Sequence, residues 1–468
     1  MNEAVNRPLD GQGAEVSKGV VVLIATMSSF ITPFNFASVN IALPSIGREL
    51  QLDAVSLGWV ATAYMLAGAA FLVPLGRLAD IRGRKRIFLI GMIIDAVASA
   101  LCAVSPSGVW LIVFRAVQGL GGAMIFGTGV AILTSVFPAR ERGRALGLNV
   151  AAVYTGLSVG PLIGGFFTDR LGWGSIFYVN AFLALIVVVT VIWKLKGEWA
   201  GARGEKFDLV GSVIYCLTLV AIIYGFSELP DLIGAWLVLA GLAGAAAFVM
   251  WEVRQKCPVL DISIFRENRV FRYSNLAALI NYSATASTAF LLSLYLQYIK
   301  GFSPEYAGLI LVAQPVVMVI CSPFAGSLSD RIEPRLVASA GMALTAAGLV
   351  MLVFLDGNSG LVFVLAILVV LGVGFGFFSS PNTNAVMSSV ERNYYGVAAG
   401  MLGTMRLTGQ MFSLAVALLL FALYIGRVQI TPEYYSSFLT SMRTAFIISA
   451  ALCGAGVFAS IARGKTHG

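Results

Sequence analysis

The chain has 468 residues, of which 58% are apolar and only 12% are charged, about half the charge of an ordinary soluble domain. That scarcity argues against a soluble enzyme, because a soluble fold of this length needs more charge to cover its surface. The 50 glycines and the net charge of +8 then raise two further readings, close helix packing and nucleic-acid binding, and the order of residues along the chain decides between them.

Residues 1–18 are polar and carry Glu3, Arg7, Asp10, Glu15 and Lys18. They lack the pattern of a cleavable leader, so the first apolar run is expected to persist as a helix. A bilayer-spanning helix needs about 20 mostly apolar residues. Runs of that kind fall at 19–43, 56–76, 87–105, 108–136, 145–168, 174–193 and 209–228. They continue at 232–251, 273–297, 306–328, 336–355, 360–385, 396–425 and 443–462, which predicts 14 spans. Backbone polar groups must find partners within the segment when surrounded by hydrocarbon, so these runs are helices. The expected class is an all-α polytopic membrane protein.

An even number of spans leaves both ends on one side. The tails and connections on that side hold 24 of the 31 lysines and arginines. The opposite side holds Arg48, Arg170, Lys300, Arg427 and Arg443, while Arg115 and Arg406 fall inside spans. This bias puts both termini in the cytoplasm. The basic surplus therefore reads as topology and contact with anionic membrane lipid, not nucleic acid.

The chain also repeats itself. Gly76-Arg77-Leu78-Ala79-Asp80 closes the second span, and Gly326-Ser327-Leu328-Ser329-Asp330-Arg331 closes the tenth, 250 residues later. The expected layout is a tail at 1–18, a six-helix bundle at 19–195, an inserted helix pair at 196–270, a second six-helix bundle at 271–463 and a tail at 464–468. Parallel repeats of six spans place a substrate site between the halves near the midplane.

Several chemistries are unsupported. The single histidine, His467, leaves no histidine catalysis, relay or zinc site. The five cysteines are scattered without metal or disulfide spacing. No phosphate-binding glycine loop is present, so ATP is not the direct energy source, and no cofactor or metal is called for.

Gly76 through Arg86 reads G-R-L-A-D-I-R-G-R-K-R. Its glycines allow a tight turn between spans, and Asp80 can accept hydrogen bonds from helix-end amides. The segment resembles the loop signature of the major facilitator superfamily, with Ile81 in place of one basic residue. The resemblance implies a conformational latch involving Gly76, Asp80, Arg84 and Lys85, with Asp330 and Arg331 as the counterpart in the second half. In the fifth span, Gly156, Gly160, Pro161, Gly164 and Gly165 match that superfamily's antiporter signature. Glycines at i, i+4 and i+8 also allow another helix to approach closely, which is a packing role in its own right. Arg115-Ala-Val-Gln118-Gly119 resembles a third signature of the superfamily. The span count, Trp173 through Asn180, Phe207 through Gly211, Pro258 through Phe265, and Arg406 through Gln410 resemble the fourteen-span drug:proton antiporters.

An arginine inside a span costs at least ~2.5–3.5 kcal/mol on insertion scales, so Arg115 needs an interior partner. Asp95 is the only carboxylate well inside a span, and helix geometry puts it about 7 Å from Arg115 along the membrane normal. The two are candidates for proton coupling, or for a static pair between helices. One departure stands out: the first span of the resembled subgroup carries an aspartate where this chain has Asn35, and an amide cannot titrate. Mid-span polar residues Asn35, Tyr64, Gln118, Tyr154, Asn281, Gln314, Asn384, Arg406 and Gln410 are the substrate-cavity candidates, with helix–helix hydrogen bonding as their alternative role. The resemblance implies proton-coupled efflux of small amphipathic organic compounds. Asn35 and Arg406 favour organic anions or metabolites as the alternative cargo, and a non-transporting sensor is the reading from another class.

Overall fold

The computed structural model describes residues 17–137, 139–255, 268–390 and 395–464, leaving out the side chains of residues 139–144, 146, 330, 395 and 396. Among the described residues, 14 helices are long and apolar enough to cross a membrane. They are α1 (Lys18–Glu49), α2 (Ala54–Arg82), α3 (Arg84–Ala103), α4 (Gly108–Val136), α5 (Ala139–Leu171), α6 (Gly174–Lys194) and α7 (Leu209–Glu228). The remainder are α8 (Leu232–Glu252), α9 (Arg269–Ile299), α10 (Pro304–Ser329), α11 (Pro334–Val353), α12 (Leu361–Ser388), α13 (Tyr395–Tyr424) and α14 (Pro432–Ile461). The segment 258–265, one of the stretches that carried the resemblance, lies outside the described residues.

The helix count matches the apolar runs, but some ends do not. Helix α14 begins well before the run at 443, because Ser436, Ser437, Thr440 and Ser441 depress the local hydropathy without breaking the helix. The Thr440 hydroxyl turns back onto the helix, donating to the Ser436 carbonyl at 2.9 Å. Arg443 therefore sits on the helix surface, donating to the Val353 carbonyl at 3.1 Å, not in a connecting segment. Helix α10 is interrupted at Val312. Pro315, three residues on, lacks the amide that would bond the Leu311 carbonyl. Helix α9 ends in a widened turn in which the Lys300 amide reaches back five residues to Tyr295 at 3.1 Å.

The sequence repeat reappears as repeated packing. Helix α1 packs on α5 as α9 does on α13, and α2 on α4 as α10 on α12. Helix α3 bridges α4 and α6 as α11 bridges α12 and α14. The pair α7–α8 stands outside this scheme. Helix α7 lies over the seam where α2 of the first bundle meets α13 of the second. There the Tyr215 hydroxyl and Cys216 thiol donate to the Ala69 and Ala70 carbonyls at 3.3 and 3.1 Å. Helix α8 rests on α7 with Trp236, Leu239, Leu242 and Met250 exposed, a face suited to lipid.

Apolar burial gives little drive for helices to associate in lipid, so small residues set the close approaches. The antiporter-signature glycines make one such approach, between α5 and α1. A Cβ at Gly156 would lie 2.5 Å from the Phe30 carbonyl oxygen, at Gly160 2.7 Å from Ala37 Cβ, and at Gly164 2.6 Å from Ser38 Cβ. All three face α1. Gly165 points away, toward the Pro304 carbonyl of α10 at 2.5 Å. One stripe thus closes α5 onto its own bundle while its neighbour touches the other half.

Where the halves meet defines the conformation. Far from the termini, Ser293 and Gln297 of α9 donate to the Asn40 and Ile41 carbonyls of α1 at 2.7 and 2.8 Å. The Ala54 amide bonds the Val428 carbonyl at 2.9 Å, and Arg170 pairs with Glu305 at 3.4 Å. Nearer mid-span, Tyr154 of α5 meets Ser379 of α12 at 3.2 Å, and Phe126 of α4 faces Gly403 of α13. The hydrogen bonds between the two halves, among the described residues, thus lie at mid-span or toward the end remote from the termini.

Candidate functional site

The first polar centre lies within the first bundle. Arg115 is fully buried. Its Nε donates to the Val60 carbonyl at 3.0 Å, and its Nη1 donates to Asn35 Oδ1 and Gln118 Oε1, both at 2.6 Å. The guanidinium also lies 4.4 Å from the Tyr64 ring centroid and 5.9 Å from that of Phe177, close enough for cation–π attraction in a desolvated setting. Asn35 therefore occupies a specific role: its amide oxygen fixes the arginine from α1 without adding a charge.

Asp95 does not pair directly with Arg115; no salt bridge joins them among the described residues. A hydrogen-bonded relay links them instead. Asn180 Nδ2 donates to Asp95 Oδ2 at 3.1 Å and to Ser99 Oγ at 2.7 Å. Gln118 Nε2 donates to the same Ser99 oxygen at 2.7 Å, and Gln118 Oε1 receives Arg115. The direct static pair considered from the sequence is thus replaced by four hydrogen bonds in series through three neutral side chains. Ser99 follows Asp95 by one helical turn, and Asn180 arrives from α6 because α3 packs between α4 and α6. Ser99 was not singled out from the sequence, and Asn180 was named only as the end of the Trp173–Asn180 stretch, because a serine or asparagine in an apolar run carries no mark of its partner.

The second polar centre lies where the bundles face each other. Arg406 Nη2 donates to Thr383 Oγ1 at 2.8 Å, and its guanidinium lies 5.6 Å from the Tyr282 ring centroid. Tyr282 makes an edge contact with Phe375 at 5.3 Å. Ser379, one turn from Thr383 on α12, touches Tyr154 of the first bundle. The structure thus brings Tyr154 and Arg406 to one seam through Ser379 and Thr383, while Asn35, Tyr64, Gln118 and Asp95 belong to the buried first centre. Asn281 is fully buried with neither amide atom hydrogen-bonded. Gln314 and Gln410 are half-buried, and Asn384 donates to Ser329 Oγ at 3.1 Å.

The loop after α2 departs from the sequence expectation. Asp80 takes the Arg84 guanidinium at 2.8 Å, a pair one turn apart, and does not cap the following helix. The first amides of α3 are held by Glu198, whose two carboxylate oxygens accept from Lys85 and Arg86 at 2.8 and 3.1 Å. A carboxylate at a helix N-terminus satisfies unpaired amides and complements the helix dipole. Partial burial still pushes the Glu198 carboxyl up, against those donors. The Ala202 amide reaches the Asp80 carbonyl at 2.9 Å, the Arg84 amide reaches the Trp199 carbonyl at 2.8 Å, and Arg77 pairs with Glu205 at 2.5 Å. The segment 195–208 is therefore strapped across the loop. Only one sequence sign existed, a single acid among Lys194, Lys196 and Arg203. The counterpart Arg331 is exposed, and the Asp330 side chain lies outside the described residues. Arg463 is another surprise, being fully buried beyond the end of α14 and bonded to Ser274 Oγ at 3.4 Å and Asn382 Oδ1 at 3.1 Å.

Two repeated six-helix bundles, facing each other across a polar seam and carrying a peripheral helix pair, define a multi-pass transporter of the cell membrane. The chain belongs to the Major Facilitator Superfamily, whose family model matches residues 25–207 and 275–466. The unmatched interval holds α7 and α8. The riboflavin transporter RibZ of Clostridioides difficile is 29% identical over 95% of this chain and 97% of its own length. The multidrug resistance protein Stp of Mycobacterium tuberculosis is 31% identical over 85% of this chain and 75% of its own. The cephamycin export protein CmcT of Amycolatopsis lactamdurans is 31% identical over 87% and 86%. Among solved structures, a bacterial homologue of the human lysosomal transporter Spinster, in an inward-facing and unoccupied conformation, superposes with a TM-score of 0.70 at 14% identity, covering 96% of this chain and 98% of that one.

Proposed function

We propose that the protein exports small amphipathic organic compounds in exchange for protons, by alternating access, with both termini in the cytoplasm. The observation carrying this reading is the relay from Asp95 through Asn180, Ser99 and Gln118 to Arg115. Exchange with protons needs a titratable group inside the membrane whose protonation biases two arrangements of the helices. Asp95 is the one mid-span carboxylate. Because Asn35 is neutral, a change of charge at Asp95 is felt by Arg115 without a competing carboxylate on α1. Arg115 bridges α1, α2 and α4 through Asn35, Val60 and Gln118, and α1 and α2 carry contacts that close the remote end of the protein. With cytoplasmic termini, the arrangement described is the inward-open one. Curated relatives named for drug resistance and export support organic cargo.

The test is transport in inverted membrane vesicles under an imposed pH gradient. The gradient drives uptake of a fluorescent drug by the unmodified protein, and Asp95→Asn abolishes that dependence while leaving the protein in the membrane. Gradient-driven transport by Asp95→Asn with the same pH profile would remove Asp95 from the mechanism.

A further inference from the structure

Among the described residues, Arg406 is a cation in the membrane interior without a counter-ion. It lies nine residues into α13 counted from Val397, about 14 Å deep at 1.5 Å per residue, well below the headgroup layer of a 30 Å core. Its partners among the described residues are a hydroxyl, Thr383, and the face of Tyr282. Its Nε is buried without a hydrogen-bond partner, and no carboxylate lies within ion-pair distance among the described residues. An intramembrane charge is costly unless it is paired or serves a pathway. Arg115 shows how this chain houses a cation that is purely internal: although its Nη2 too lacks a partner, it is fully buried, with three hydrogen bonds and two ring faces. Arg406 is only half-buried and is held at fewer points.

Its position supplies the reason. Gly403, one turn earlier on α13, faces Phe126 of the other bundle, so Arg406 lies close to the seam between the halves. Thr383 follows Ser379 by one turn on α12, and Ser379 contacts Tyr154 across that seam. Tyr154, Tyr282 and Phe375 add aromatic surface. The one mid-span carboxylate, Asp95, is buried within α3, α4 and α6 and bonded to Asn180. The charge offered to a ligand at the seam is therefore positive.

We propose that Arg406, with Thr383, Tyr282 and Tyr154, is the recognition point for an anionic group on an aromatic substrate. The proposal rests on the export reading and gives it a substrate class. The ligand's carboxylate, sulfonate or phenolate would take the free guanidinium edge, and its ring system would lie against the tyrosines. The same geometry disfavours organic cations, which would meet an uncompensated positive charge.

Two dyes with the same xanthene core, anionic fluorescein and cationic rhodamine 6G, test this with purified full-length protein and fluorescence polarisation. Fluorescein is expected to bind more tightly than rhodamine 6G. Arg406→Gln should weaken fluorescein binding about 10-fold to 100-fold, the span of one charge-assisted hydrogen bond, and Arg406→Lys should weaken it less. Unchanged melting of Arg406→Lys keeps the comparison valid if Arg406→Gln proves unstable. Equal fluorescein affinity in the Arg406 variants, or tighter binding of rhodamine 6G by the unmodified protein, overturns the proposal. The export reading fails separately: fluorescein bound through Arg406 but not moved by a pH gradient refutes proton-driven export and leaves the recognition assignment standing.

Discussion

The relay between Asp95 and Arg115 predicts a particular coupling energy between the two charges. Its length along Asn180, Ser99 and Gln118 is set by contacts of 3.1, 2.7, 2.7 and 2.6 Å plus the width of one amide, and the path is bent. The Gln118 amide, which bonds both Arg115 and Asp95, shortens that path, so the charges lie no more than about 10 Å apart. At an effective dielectric of about 20, two unit charges that far apart interact by roughly 1.7 kcal/mol, against about 4 kcal/mol for a contact pair at 4 Å. Shared hydrogen-bond partners make the two sites non-additive despite the distance. A double-mutant cycle of Asp95→Asn and Arg115→Gln, read as unfolding free energy of the purified protein in mild detergent, should therefore give a coupling of about 1–2 kcal/mol. Ser99→Ala and Asn180→Leu should each reduce that coupling while leaving both charges in place. A coupling indistinguishable from zero would refute the relay as an energetic link. A coupling of 4 kcal/mol or more would mean that the charges meet directly.

Other predictions concern packing, the strap and orientation. A leucine at Gly164 forces α1 and α5 apart, since even a Cβ there lies 2.6 Å from Ser38 Cβ; overpacking of this kind costs about 1–3 kcal/mol, and drug uptake into inverted vesicles should fall at least tenfold. Gly147→Ala, where an added Cβ meets nothing within 4 Å, should transport normally in the same assay. Glu198→Ala removes the acceptor for two amides of α3 and should lower stability by about 0.5–2 kcal/mol, the range for losing a helix cap, with faster hydrogen exchange at Lys85 and Arg86. A cysteine at Asn358 should react with an impermeant maleimide added outside intact cells and one at Arg203 should not; the reverse pattern overturns the cytoplasmic placement of the termini.

Much of the architecture was legible before folding. Fourteen apolar runs became 14 helices because nothing but a helix satisfies backbone groups in hydrocarbon, and the repeat at 76–80 and 326–331 foreshadowed two bundles with matching packing. The glycine spacing in α5 announced a close neighbour. Polar partnerships were less legible. Arg115 and Asp95 stood out as charges, yet the residues joining them, Ser99 and Asn180, come from one turn away and from another helix. Glu198 looked like an ordinary loop acid, and Arg463 like one more cytoplasmic charge, until the fold brought each against its acceptors or donors.

The sequence by itself determined that this is a membrane protein with few interior charges, because transfer into hydrocarbon is a local property summed residue by residue. It also determined that position 35 cannot titrate, since that depends only on an amide in place of a carboxylate. The tertiary structure decided what those charges do. Arg115 and Arg406 look alike as arginines in apolar runs, but one is enclosed by three helices and two rings, and the other stands half-open beside the seam between bundles. The difference arises from contacts between residues more than 200 positions apart, as in Tyr154 and Ser379 or Phe126 and Gly403. Hydropathy and periodicity are short-range signals, and they carry no information about which distant helix will supply a partner or leave one out.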